Sequence, residues 1–146
     1  MILEIIKDGD ERLRKISCPV TLTKEVKELV DDMKETMIHA DGMGLAAPQV
    51  GQNIRVIVIK LLDNKIQEMI NPVIKSHSDD TCDLEEGCLS VPGKYLTITR
   101  PSKISVKFQD LSGKHKKWKL KSWESRVVQH EIDHLDGMLM TDYQGE

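Results

Sequence analysis

Two stretches of the chain carry apolar residues at helical spacing. The first is predicted to form a helix over residues 23–40, with Thr23 as its N-cap and Gly42 ending it. Its apolar positions are Val26, Leu29, Val30, Met33 and Met37. The second helix is predicted over about residues 122–136, with Ser122 as its N-cap.

Between these helices the pattern changes to that of strands. Residues 54–59 are mostly β-branched, Asp63-Asn64 suits a hairpin turn, and residues 65–70 and 72–76 continue in extended form. Later, Ile104, Val106 and Phe108 alternate with polar residues, Ser112-Gly113 turns the chain, and Trp118 and Leu120 alternate on the way back. Strands segregated between two helices predict an α+β fold. We expect antiparallel sheets packed around the C-terminal helix, with one N-terminal helix.

Composition limits the possible classes of protein. The chain has 146 residues, and we find no repeat or linker, so we expect one catalytic domain over 1–146. A formal charge of −3 gives no global field for nucleic acid or an anionic membrane. No apolar run reaches the length of a membrane span, and the N-terminus lacks the pattern of a secretion signal. We therefore expect a cytoplasmic protein without membrane contact. Its three cysteines, an odd count, argue against a disulfide framework.

The clearest chemical motif is His130-Glu-Ile-Asp-His134, an HExxH sequence within the second predicted helix. Positions i and i+4 share one helix face, so both imidazoles can reach one metal ion. Glu131 lies beside that face, where a carboxylate can take a proton from a metal-bound water. The alternative is an amphipathic helix with two polar histidines. We favour the metal site because the preceding residues already have a helical pattern.

A catalytic metal site of this kind needs a third protein ligand. Met140 stands where metzincins place a third histidine, and nine residues after Gly137 are too few for a distant downstream glutamate. The ligand should therefore lie upstream, and Cys88, flanked by Gly87, is the best candidate because thiolate is a strong ligand. The remaining cysteines and histidines are better explained as spectator thiols or surface residues: Cys18, Cys82, His39, His77 and His115.

Three segments in the same order resemble the motifs of the peptide deformylase family. They are Gly42-Met-Gly-Leu-Ala-Ala-Pro-Gln49, Glu86-Gly-Cys-Leu-Ser90 and His130-Glu-Ile-Asp-His134. The resemblance implies that Cys88, His130 and His134 hold the metal and that Glu131 is the general base and then the acid. It also implies that the Gln49 side chain and the Leu89 backbone N–H face the developing oxyanion, while Gly44 lets the substrate backbone approach closely.

The reaction implied is removal of the formyl group from N-formylmethionyl nascent peptides by attack of a metal-bound water, releasing formate. The resemblance implies Fe(II), with Ni(II), Co(II) or Zn(II) as possible substitutes, and we expect a monomer. Trp123 and Val127 share the helical stripe of His130 and His134, so they should wall the space beside the metal. The resemblance places the methionine pocket there, completed by Met43 and Leu84. Glu86 and Gly87 are also assigned to substrate binding.

Several features differ from the family pattern or suggest other functions. Tyr95 stands where we expected an arginine paired with Glu86, and the C-terminal helix of the family, a ribosome contact, has no counterpart after Gly137. This leaves the ribosome contact open, and short chains of this kind occur in phages.

The basic run of residues 114–121 alternates as an ordinary strand does, which we favour over an RNA contact. A general metallopeptidase and a structural metal site in a binding module are the competing functions.

Overall fold

A five-stranded antiparallel sheet forms the centre of the computed structural model, which describes residues 1–143. Its strands are β1 (Gly44–Ala46), β2 (Val56–Lys60), β3 (Ile66–His77), β6 (Lys103–Gln109) and β7 (His115–Lys121), in the order β1-β2-β3-β6-β7. A separate hairpin pairs β4 (Thr81–Cys88) with β5 (Val91–Pro101). The helices are α1 (Lys24–His39) and α2 (Ser122–Leu135). The predicted α+β class is confirmed.

Helix α1 covers one face of the sheet. The Thr23 hydroxyl accepts a hydrogen bond from the backbone N–H of Val26 at 3.3 Å, which confirms the predicted cap. The apolar side of the helix packs against sheet residues that include Val56 and Val58. The buried apolar positions of the helix are Val26, Val30, Met33 and Met37.

Helix α2 covers the opposite face. Because successive side chains of a strand point to opposite faces, Ile57 and Ile59 of β2 contribute to the core beneath α2, while Val56 and Val58 contribute to the core beneath α1. The apolar residues of α2 in this core are Val127, Val128, Ile132 and Leu135. Enclosed in this way, α2 buries polar residues along with apolar ones, including His130 and His134. The chemical motif of the chain therefore lies inside the protein.

Two local features differ from the sequence-based expectations. Ser122 was predicted to cap α2, and this is wrong: Lys121 occupies the N-cap position without a side-chain hydrogen bond, and Ser122 has a φ of +55°. The β4–β5 hairpin was not predicted, because β4 is mostly exposed and polar and so lacks apolar alternation. The short 3₁₀ segments are Glu11–Arg14, Ala47–Val50 and Met140–Tyr143. Neither α1 nor α2 is long and apolar enough to cross a membrane.

A glycine after α2 gives a test of how tightly the end of this helix packs. Gly137 has a φ of +76°, and a Cβ there would lie 2.5 Å from the carbonyl oxygen of Arg14. Gly113 has a similar φ of +87°, but the nearest atom to its Cβ would be 3.9 Å away. We expect Gly113→Ala to cost about 1 kcal/mol from backbone strain alone. Gly137→Ala should cost a further ~1–3 kcal/mol, because a backbone carbonyl must move.

Denaturant unfolding of the two variants measures this difference, since both carry the same backbone strain. Equal losses of unfolding free energy would show that the Arg14 segment yields freely and does not hold the end of α2.

Candidate metal centre and active-site cleft

Three side chains from two elements converge at one point. His130 and His134 come from successive turns of α2, and Cys88 ends β4. Their ligand atoms all lie within 4.8 Å of one another, and Cys88 Sγ lies 3.4 Å from His134 Nε2. Metal–sulfur bonds of about 2.3 Å and metal–nitrogen bonds of about 2.1 Å fit such separations around one tetrahedral ion. Within residues 1–143, no other group of three potential ligands of this kind is found.

The Glu86 carboxylate fixes the orientation of the His130 ring. Oε1 of Glu86 lies 2.8 Å from Nδ1 of His130, so Nδ1 donates to the carboxylate and Nε2 is free to face the metal position. The side chain of Glu86 is 3% exposed, and an isolated carboxylate so deeply buried would be costly. Arg100 binds it with Nε at 2.6 Å and Nη2 at 3.0 Å, and Nη1 of Arg126 lies 2.6 Å away.

The network continues from Arg100 to Asp133 on α2 and to Tyr143. Arg100 also donates to Asp133 at 2.8 Å, and its guanidinium lies 5.0 Å from the ring centroid of Tyr143. The Tyr143 hydroxyl donates to Asp133 at 2.9 Å. These contacts correct one expectation: the support for Glu86 does not depend on an arginine at position 95, because Arg100 and Arg126 provide it.

Sequence reasoning missed both arginines. Arg126 precedes His130 by four residues, so the helical spacing placed it on the same face. A charged residue on the helix face that carries the metal ligands was the signal that could have identified Arg126 as part of the site. No comparable local signal marked Arg100, because its partner Glu86 is distant in sequence and lies on a strand that was not predicted.

The pKa values of the buried groups follow from these contacts. Burial raises the pKa of Glu131 to about 7. Burial opposes the charge on Glu86 too, but hydrogen bonds from His130 and an arginine hold its pKa at about 2. Burial lowers the pKa of His134 well below its ordinary value, which favours the neutral, metal-binding form. Burial also disfavours charge on His130, but hydrogen bonds with Cys88 and Glu86 raise its pKa to about 10; a bound cation would displace that proton.

Gln49 is held in a single orientation. Its Oε1 accepts a hydrogen bond from the Ala46 backbone N–H at 2.9 Å, and its Nε2 donates to Ser90 Oγ at 3.0 Å. Ser90 Oγ in turn donates to the Ile6 carbonyl, so it can only accept from Gln49. The amide nitrogen also lies 3.8 Å from Cys88 Sγ. One N–H of Gln49 is therefore directed toward the candidate metal centre.

Gly44 lies against the carboxylate of Glu131. A Cβ at position 44 would be 2.6 Å from Oε2 of Glu131 and 2.9 Å from its Cγ. The resemblance assigned Gly44 to close approach of the substrate backbone. The structure gives a second reason for a glycine here, because a side chain would collide with Glu131. Oε1 of Glu131 is buried without a hydrogen-bond partner among the described residues, as is Nδ1 of His134. An unpaired oxygen on a carboxylate whose other oxygen lies 4.0 Å from His130 Nε2 fits a site that holds a metal ion and a water molecule.

The metal position opens into a cleft of about 500 Å³. Most of the residues expected at the site line it: Met43, Gly44, Gln49, Glu86, Gly87, Cys88, Leu89, Trp123, Val127, His130 and Glu131. Leu84 does not line the cleft; it lies on β4 and is 39% exposed. His134 is buried behind the cleft, although its Nε2 reaches the ligand cluster. Trp123 contacts the cleft and also packs against the core beneath α2.

Comparisons with known proteins agree on one family. The family described as "Polypeptide deformylase" matches residues 2–145. The chain is similar to a peptide deformylase of Dictyoglomus thermophilum, at 50% identity over 97% of this chain and 92% of that protein. It is also similar to a solved structure described as a probable peptide deformylase from synechococcus phage S-SSM7, with a TM-score of 0.93 and 48% identity, covering 97% and 99% of the two chains.

A second solved structure carries a bound peptide. It is a class I type b peptide deformylase from Acinetobacter baumannii with Met-Ala-Ser, similar to this chain at a TM-score of 0.92 and 33% identity. The match covers 98% of each chain.

The cysteines provide a test of the metal centre. We expect Cys88→Ala to lose most of its bound metal, because two imidazoles alone leave the ion under-coordinated. Cys18→Ala and Cys82→Ala should retain metal, since neither thiol belongs to the ligand cluster. Elemental analysis of the three variants, purified without oxygen, measures the difference. Full metal occupancy in Cys88→Ala would contradict the assignment.

Proposed function

This chain belongs to the peptide deformylase family, and from that premise we propose that it releases formate from N-formylmethionyl peptides through a site built on Cys88, His130 and His134. The observation that supports the proposal best is the convergence of these three side chains beside Glu131, in the wall of an open cleft. Among the residues described, Glu131 is the carboxylate next to the ligand cluster that lacks an ion-pair partner other than His130.

The donor set fits one divalent cation. One thiolate and two imidazoles leave a coordination position open, which distinguishes catalytic from structural sites. A cation held there would lower the pKa of a water molecule toward neutrality and polarise the formyl carbonyl. From the family resemblance we propose Fe(II); the donors also suit Zn(II), Co(II) and Ni(II).

In this proposal Glu131 moves the proton. Its Oε2 lies 4.0 Å from His130 Nε2, and its other oxygen is buried without a partner among residues 1–143. A carboxylate so placed can accept a proton from the attacking water and deliver it to the nitrogen of the leaving amine. The second transfer is needed because an amine leaves poorly without a proton.

Gln49 and Leu89 stabilise the charge that develops on the formyl oxygen. The amide of Gln49 is fixed by Ala46 and Ser90, so its remaining N–H is oriented before the substrate arrives. Leu89 lines the same cleft, and its backbone N–H supplies the second donor. Donors of this kind are worth about 3 kcal/mol each in comparable sites.

The substrate binds as an extended strand along β1. This strand is an edge of the five-stranded sheet, and Met43 and Gly44 at its start line the cleft. An edge strand offers unpaired backbone groups to an incoming peptide. The side chain of the first residue would then enter the part of the cleft lined by Trp123 and Val127. The Acinetobacter baumannii relative solved with Met-Ala-Ser supports a short peptide as the ligand.

The direct experiment is formate release from a formyl-Met-Ala-Ser peptide by the metal-loaded protein. Glu131→Gln should keep its metal and lose about 10²- to 10⁴-fold in kcat, the usual contribution of a general acid–base group. Glu124→Gln, on the same helix but outside the cleft, is the matched control and should be fully active. No formate release by the wild-type protein with full metal content would refute the proposed function. Full activity of Glu131→Gln would refute its role.

Gly44 tests whether the position of Glu131 matters. Gly44→Ala should lower kcat about 100-fold, because the new methyl group displaces the carboxylate, and displacements near 1 Å have effects of this size. Metal content should be unchanged, since the three atoms nearest to the added Cβ all belong to Glu131, which is not a proposed ligand.

Gly93→Ala is the control for this substitution. A Cβ at Gly93 meets no atom within 4 Å, although Gly93 also lines the cleft. Its φ of +78° makes the alanine cost about 1 kcal/mol of stability, so this control bears the larger backbone strain and should still keep its activity. Steady-state kinetics with metal analysis separates the two variants. Equal activities would mean that Glu131 can move without loss of function.

Trp123 tests the specificity of the side-chain pocket. Its indole makes the pocket narrow, so we expect Trp123→Leu to improve kcat/KM for formyl-Phe relative to formyl-Met peptides. The shift should be ~1–3 kcal/mol if one contact decides it. The ratio is measured in both proteins at matched metal content. If both substrates change equally, the contact of Trp123 with the core is what matters, and it does not select the substrate.

A further inference from the structure

One face of the β6–β7 hairpin is covered by lysines. Residues directly opposite each other in an antiparallel pair share a face, and the register pairs Lys103 with Lys121, Ser105 with Lys119, and Lys107 with Lys117. All five lysines are exposed. We call this surface the lysine face: Lys103, Lys107, Lys117, Lys119 and Lys121. It lies on the α1 side of the sheet, where the main contacts of α1 are with β1 and β2.

The lysine face lacks counter-charges. None of its ammonium groups forms an ion pair with a described residue, although the chain as a whole carries a net charge of −3. Two acidic groups in adjoining segments are engaged elsewhere: Asp110 binds Lys116, and Glu124 accepts a hydrogen bond from the Leu62 backbone. Two pairs of lysines face each other directly across the strands, an arrangement that destabilises a sheet.

Protection of the sheet edge explains only part of this pattern. Lysines on an edge strand prevent pairing with other chains, and β7 is an edge. However, β6 lies inside the sheet between β3 and β7, so Lys103 and Lys107 protect no edge. Their position opposite Lys121 and Lys117 increases the repulsion without that benefit.

An unpaired hydroxyl lies within the same surface. Ser105 is 6% exposed, and its Oγ has no hydrogen-bond partner among residues 1–143. Its register partner is Lys119, and Lys103 and Lys107 lie two residues away on the same face of β6. A buried donor without a partner, placed between lysines, suits a phosphate oxygen.

The sequence pattern alone favoured an ordinary strand over an RNA contact at residues 114–121, but the register adds two β6 lysines to the same surface. We propose that the lysine face binds the phosphate backbone of RNA, with Ser105 donating to one phosphate. Lysines that alternate along a strand are about 7 Å apart, similar to successive phosphates of a nucleic-acid strand. A lipid surface fits less well, because membrane binding also needs apolar side chains to insert, and the face itself consists of lysines, Ser105, Gln109 and His115.

The choice of RNA rests in part on the proposed function. A nascent peptide is attached to RNA while it is made, so a cationic surface would bring the cleft close to its substrate. The lysine face and the cleft involve separate residues, so each can be tested without the other.

The test measures binding of the full chain to a short fluorescent RNA hairpin by anisotropy over a range of NaCl concentrations. Lys107→Glu/Lys117→Glu should weaken binding at least tenfold and reduce the slope of log K against log salt by about 2. Lys24→Glu/Lys27→Glu on α1 makes the same charge change at exposed positions and should alter binding less than twofold. Ser105→Ala should weaken binding while leaving the salt slope nearly unchanged. All variants should keep wild-type activity on a short formyl-Met peptide.

Several results would overturn the inference. They are absence of RNA binding at low salt, equal losses in the two double variants, and tighter binding to a DNA hairpin of the same sequence or to phosphatidylglycerol vesicles. Loss of peptide activity in Lys107→Glu/Lys117→Glu would likewise show that the lysine face is not a separate site. RNA binding by a protein that releases no formate would refute the proposed function and leave this inference standing.

Discussion

The buried carboxylate of Glu86 constrains the whole active region. It is almost inaccessible to water, so it requires full compensation, and it receives it from Arg100, Arg126 and the ring of His130. These partners belong to β5 and α2, while Glu86 itself belongs to β4. One charge therefore fixes the hairpin against the helix. Removing any partner would leave a buried charge without compensation, which costs far more than the loss of a surface ion pair.

This constraint determines how the three candidate ligands meet. Cys88 follows Glu86 by two residues and ends β4, where the pairing with β5 shifts register between Gly87 and Cys88. Holding Glu86 against α2 therefore keeps Cys88 close to the helix, and the register shift contributes to the direction of its side chain. On α2 the same carboxylate orients His130, and the helical repeat then places His134 one turn further along. The geometry of the ligand cluster follows from one ion-pair network, the helical repeat of α2 and the irregular end of β4.

The sequence predicted the elements whose signals are local. Helix α1, strand β2 and the β6–β7 hairpin each show their own apolar period, and HExxH specifies its own geometry on a helix. The β4–β5 hairpin is different, because it is held by backbone pairing and by the buried Glu86 network and not by an apolar face. Its partners Arg100 and Arg126 lie 14 and 40 residues from Glu86 in sequence. Leu84 was assigned to the pocket by resemblance, and without a pattern for β4 the direction of its side chain could not be checked.

Charged residues are paired beside the cleft but unpaired on the lysine face. Beside the cleft, two carboxylates, Glu86 and Asp133, are matched by two guanidinium groups, Arg100 and Arg126, so this ion-pair network is close to neutral. On the β6–β7 hairpin, five lysines share one surface with no paired carboxylate in the described structure. The chain does not lack acidic residues, since its net charge is −3. The absence of acidic partners on this one surface is therefore better explained by a polyanionic ligand than by a lack of acidic residues.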